Sequence, residues 1–273
     1  MTSPYLSKTR TIEELDALLE ENLKEAFIAG KNITNDVVPK AIVNIDEICQ
    51  SSVFSMENKS KQIIAKLDAW VDATRTEISI ESDSARQEIS NLVSAAKSDQ
   101  HTVDVLDSMI SETTRLSLDR IAKCAESSVS KIREESSQII QELSLKAADS
   151  FNEFKALTAL ATKRIKESVE KAGKVFESIK NSTNGEKALA RARKETQKAI
   201  GDAESASLEL EKAKSRTEKR INEAMEAASK RIEQAYKASA KELQQAVDDA
   251  AAKLDMVAKD SLRGFSITHG NTE

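Results

Sequence analysis

Large apolar residues recur every eleven positions along most of this chain. Ile45, Met56, Leu67, Ile78 and Ile89 form one run; Ile110, Ile121, Ile132, Leu143, Phe154, Ile165 and Phe176 form a second; Leu210, Ile221, Ile232, Leu243 and Leu254 form a third. Eleven residues make three turns of an α-helix at about 3.67 residues per turn, so each anchor returns to nearly the same face. The pattern predicts three blocks of long helix, with these seventeen anchors forming the helix-packing interface. The third block is the plainest, since residues 220–263 divide into RINEAMEAASK, RIEQAYKASAK, ELQQAVDDAAA and KLDMVAKDSLR. Ala224, Ala235, Ala246 and Val257 follow the anchors by three, and Ala228, Ser239, Ala250 and Ser261 by seven. Each helix therefore carries one narrow stripe that mixes large with small side chains.

The period slips twice. Ile89 and Ile110 are 21 residues apart, one short of two repeats, and Ser98-Asp99-Gln100-His101-Thr102 between them favours a turn over a local change of winding. Phe176 and Leu210 are 34 apart, one more than three repeats, across Asn181-Ser182-Thr183-Asn184-Gly185. That stretch joins an Asn-Gly stop signal to a new capping box from Thr183 to Glu186. Near the start, Thr11 and Glu14 form another capping box, and Ile12, Leu15, Leu19, Leu23 and Phe27 follow at helical spacing up to Gly30.

These signals predict a short N-terminal capping or docking helix and linker at 1–38. Helix blocks follow at 39–97, 104–180 and 186–263, and a flexible tail at 264–273 begins where Gly264 ends the last helix. Lys31-Asn32-Ile33-Thr34-Asn35-Asp36 reads as the linker, and Pro39 suits a first helical turn. The expected fold is all-α: an elongated long-helix coiled coil or helical bundle built on eleven-residue (hendecad) repeats.

Composition supports this reading against an ordinary globular core. Aromatic residues make up 3% of the chain, charged residues 32%, and only six glycines and two prolines interrupt 273 residues. That is the profile of long helices, and the ordered apolar period argues against intrinsic disorder. Net charge is −5, with 11 basic and 18 acidic side chains in residues 1–104. No polybasic run stands out, so nucleic acid is not expected as a partner. The N-terminus lacks the charged and apolar stretches of a secretory signal, and no window approaches a transmembrane span, so a cytoplasmic location is expected.

Candidate chemistry is sparse. There is no GxGxxG, P-loop, HExxH or Cys-x-x-Cys, so the chain is expected to be no enzyme, with no catalytic, cofactor-binding or metal-ligating residues and no small-molecule substrate. His101 falls in the suspected turn and His269 in the tail, where each reads as a solvated side chain. Cys49 lies four residues after Ile45 and reads as a small core residue; with Cys124 it makes no disulfide or zinc framework. Glu134-Glu135 and Asp248-Asp249 diverge on a helix and read as solvated charges. Trp70, beside Val71, reads as an anchor for packing or for a hairpin partner.

An eleven-residue stripe is covered either by another helix or by a lipid surface. Small residues beside each anchor suit close helix packing, whereas lipid binding favours a broad, bulky face. The pattern over residues 209–263 is similar in period and composition to exchangeable apolipoproteins and late-embryogenesis-abundant proteins, a resemblance that implies no particular function. The expected function is a structural scaffold, spacer or filament subunit that self-associates as a homo-oligomer. The alternatives are a peripheral protein on an anionic membrane surface and a regulatory adaptor that binds a protein client through residues 12–29.

Overall fold

The computed structural model describes residues 31–182 and 186–269, with single helical positions at 17, 20, 21, 24 and 28. Three long helices pack together as a helical bundle: α1 (Val38–Ser98), α2 (Val103–Ser182) and α3 (Glu186–His269). The chain divides into two compact units, the first made of Met1–Phe54 and Leu145–Ala224, the second of Ser55–Ser144 and Met225–Glu273.

Burial follows the sequence period. Along α1 the buried positions run 45, 49, 52, then 56, 60, 63, then 67, 71, 74, then 78, 82, 85, in steps of four, three and four. The first of each three is a large anchor. The second and third are Cys49 and Ser52, Ser60 and Ile63, Val71 and Thr74, Ser82 and Ala85. Burying one Ile, Leu, Met or Phe side chain contributes about 1.5–3 kcal/mol, so the anchors carry most of the drive. The smaller residues set how closely the helices approach.

In the second unit, Ile78 and Ala85 of α1, Ile121 and Ala125 of α2, and Ala250 and Leu254 of α3 share one core cluster. A further cluster joins Ile89, Ala96, Leu106, Ile110 and Phe265. Residue numbers rise together in α1 and α3 and fall in α2, so the order is up, down, up. In the first unit Ile33, Val38, Ile165, Ala203 and Ala206 form a core cluster, with Ile42 and Val169 packed against it.

The turn between α1 and α2 is closed by backbone geometry. The His101 amide donates to Ala96 O (3.1 Å), the Asp99 amide donates to Ala95 O (2.9 Å), and Gln100 sits at φ 54. A six-to-one bond over a left-handed residue is the Schellman way of ending a helix, here without the usual glycine. The Leu106 amide then donates to Thr102 O (3.2 Å) and opens α2.

Two expected interruptions are helical instead. Residues 31–36, expected as a linker, run straight into α1 through a π-helical turn at Ile33–Val37, where the Val38 amide donates to Ile33 O. Ile33 and Val38 are both buried, and the wider π winding places residues five apart on one face. At the other end, Gly264 does not stop α3, which continues to His269 because Phe265 is buried against Ile89, Ala96, Leu106 and Ile110. A helical glycine costs about 1 kcal/mol relative to alanine, less than burial of a phenylalanine contributes. The expected break at Thr183-Asn184-Gly185 lies outside the described residues, as does most of the expected helix at 12–29.

Candidate functional site

Sixteen of the seventeen anchors are buried in the bundle; Phe176 alone is half-buried. The stripe predicted from sequence is thus covered by helices of the same chain. What the chain offers to partners is its outer faces and seams.

The most ordered of these is the α1–α2 seam of the second unit. Lys59 Nζ lies 2.6 Å from Glu142 Oε2 and Lys66 Nζ lies 3.0 Å from Glu135 Oε2. Arg120 pairs with Glu81, and the Cys124 thiol donates to Glu77 Oε2 (3.1 Å). The ammonium groups of Lys66 and Lys131 each sit 4.7 Å from the centroid of the half-buried Trp70 ring. These five pairs, from 59/142 to 81/120, all have residue numbers that add to 201, so antiparallel pairing along this seam continues without a slip. These are partly exposed contacts, each worth about 0.2–1 kcal/mol, and their main effect is to select one register. No local pattern in the sequence marks this seam. Its signal is the turn itself, because folding the chain at 98–102 sets residue n against 201 − n.

The pairings shift ionisation. The Lys59 ammonium bonded to Glu142 holds that carboxyl below its usual range. Burial, with Glu77 next to it, pushes the Cys124 thiol up to about 11. Burial also raises the Cys49 thiol, against the opposing effects of Arg220 and a hydrogen bond with Thr217. Neither thiol is poised as a nucleophile, because the reactive form is the thiolate.

Inside the bundle, hydroxyls punctuate the apolar stripe. Ser52 and Ser150 are paired across α1 and α2 of the first unit at 2.5 Å. In the second unit the Thr74 hydroxyl pairs with Ser128 (2.7 Å) and donates to Trp70 O (2.9 Å). Ser60, Thr114 and Ser136 hold buried hydroxyl oxygens without a partner. Between α2 and α3 of the first unit lies an open groove of about 670 Å³, bordered by Lys155, Thr158, Thr162, Lys166, Glu170 and Lys214. Ligand sites are mostly apolar, whereas this groove is rimmed by charged side-chain ends and reads as a solvated furrow.

His101, half-exposed at the turn, lies 3.9 Å from Asp99; the His269 side chain lies outside the described residues. Among the described residues no group of three or more His, Cys, Asp or Glu is placed to hold a metal ion, and no helix is long and apolar enough to cross a membrane. No family model and no curated protein matches the sequence. Among solved structures the chain is similar to a computationally designed three helix bundle, with a TM-score of 0.51 and 16% identity over 91% of this chain and 99% of that one. At that identity the likeness concerns the fold alone.

Proposed function

We infer that this chain is a non-enzymatic, cytoplasmic scaffold protein, a bundle with hendecad coiled-coil packing that self-associates into a larger assembly. One observation carries the reading: the anchors are covered within the chain, while large exposed apolar residues such as Val43, Ile80, Leu160 and Met256 are spread over the outer faces. A chain that spends its apolar stripe on its own closure keeps three long helix exteriors for contacts. Association then uses those exteriors and not the sixteen covered anchors. The lipid-surface alternative requires the closed stripe to open on a membrane, and the adaptor alternative places client binding at residues 12–29.

Sedimentation of the full chain over a hundredfold concentration range, with and without phosphatidylserine vesicles, tests the reading. The expected result is reversible growth in mass with helicity unchanged and no dependence on lipid. A strict monomer that gains helix only on vesicles would overturn it in favour of the membrane alternative.

A further inference from the structure

Two hairpins of the bundle leave apolar side chains at the surface and carry opposite charge. The first is the α1–α2 hairpin of the second unit. On α2, Val105, Met109 and Leu116 are 38–43% exposed, and their spacings of four and seven place them on one helix face. Residues 77–112, which flank the turn, hold eight acidic and two basic side chains. Seven of the eight carboxylates are exposed, and Glu81 is half-buried.

The second is the α2–α3 hairpin of the first unit. Residues 163–198 hold eleven basic and five acidic side chains, and all eleven basic ones are exposed. Phe176, the anchor that its own bundle leaves half-covered, lies in this segment with Val175 and Leu189, also half-buried. Two stretches of equal length thus carry net charges of −6 and +6. Opposite potentials of this kind steer encounter and choose the partner, while apolar contact holds it.

We propose that the occupant of each hairpin is a second copy of this chain: the basic α2–α3 hairpin of one copy docks on the acidic α1–α2 hairpin of the next. The inference rests on the self-association reading above and names the surfaces it uses. The contact joins two different patches, so a docked pair still offers one hairpin of each sign, the acidic one of the first copy and the basic one of the second, and the assembly can continue. Like-charged hairpins repel, which disfavours a symmetric pairing of either patch with itself. An anionic membrane is disfavoured as the occupant of the acidic hairpin for the same reason.

Two charge-reversal variants test this. One carries Lys166→Glu, Lys171→Glu and Lys174→Glu; the other carries Glu88→Lys, Asp99→Lys and Asp107→Lys. These positions are exposed, so far-UV circular dichroism of each variant is expected to match the parent. By sedimentation, the parent chain associates at 50 mM salt and at least tenfold more weakly at 500 mM, because exposed charges are screened. Each variant alone is monomeric, since three reversals bring the altered hairpin from a net charge of magnitude six to zero and leave the other hairpin nothing to attract it. An equimolar mixture of the two pairs the intact acidic hairpin with the intact basic one and associates again. Either variant assembling like the parent, or a mixture that stays monomeric, overturns the proposal. Association that ignores both salt and the variants leaves the scaffold reading standing and removes only this inference. A parent chain that is monomeric at every concentration and salt removes both, including when its basic hairpin instead captures phosphatidylserine vesicles.

Discussion

Ser52 Oγ and Ser150 Oγ face each other at 2.5 Å inside the first unit, and Ser150 also donates to Lys146 O at 2.9 Å. The Ser150 proton is therefore committed to its own helix, and Ser52 is the donor between helices. Removing one partner of a buried pair costs more than removing both. Ser150→Ala strands a buried donor and is expected to destabilise by about 1–3 kcal/mol. The Ser52→Ala, Ser150→Ala double variant is expected to recover most of that loss. Urea unfolding of the three variants checks the order; additive losses would show that the pair is not coupled.

Ile232 is fully buried and Lys237, five residues on, is exposed. An unpaired carboxylate in the core costs on the order of 4 kcal/mol, whereas a surface exchange stays within about 0.5 kcal/mol. Ile232→Asp is expected to unfold α3 from the bundle, and Lys237→Asp to leave the melting curve nearly unchanged. Similar melting curves for the two would mean that the anchor column is not the core.

Gln100 holds φ 54 at the α1–α2 turn. A left-handed backbone costs a non-glycine residue about 1–2 kcal/mol, partly offset by the greater freedom of glycine in the unfolded chain. Gln100→Gly should therefore raise stability by about 0.5–1 kcal/mol. A lowered urea midpoint would show that the Gln100 side chain does more than fill the position.

Cys124, raised to about 11 by burial and Glu77, titrates well above neutral pH. Near pH 8 its thiolate fraction is roughly a hundredfold below that of an ordinary thiol, and alkylation by iodoacetamide slows in proportion. The rate should keep climbing with pH beyond 9, where an ordinary thiol levels off. Glu77→Gln removes the carboxylate and is expected to speed the reaction at pH 8. An unchanged rate in that variant would leave burial as the whole cause.

The anchors and the turn at 98–102 could be read from the sequence because both follow from spacing. A residue such as Ile121 declares its face through Ile110 and Ile132, and a slip in period marks where a helix ends. Gly264 and the Lys31–Asp36 stretch misled because local propensity and tertiary burial oppose each other there, by about 1 kcal/mol against 2 or more. The long reach of Phe265 and Ile33 into the core decides the outcome, and no local signal reports a contact that distant. The α1–α2 ion pairs were hidden for a related reason. Lys59 and Glu142 are 83 residues apart and meet only once the turn has been placed.

The order of the helices along the chain also matters before the bundle is complete. In the second unit α1 and α2 emerge from the ribosome as Ser55–Ser144, and Met225 follows only after 80 further residues. At 5–20 residues per second that is roughly 4–16 s during which the side of the hairpin meant for α3 faces water. Ser60, Ser82, Ser117 and Ser136 interrupt the buried stripe in this stretch. Each weakens the finished core a little, and together they make the waiting hairpin less adhesive to other nascent chains.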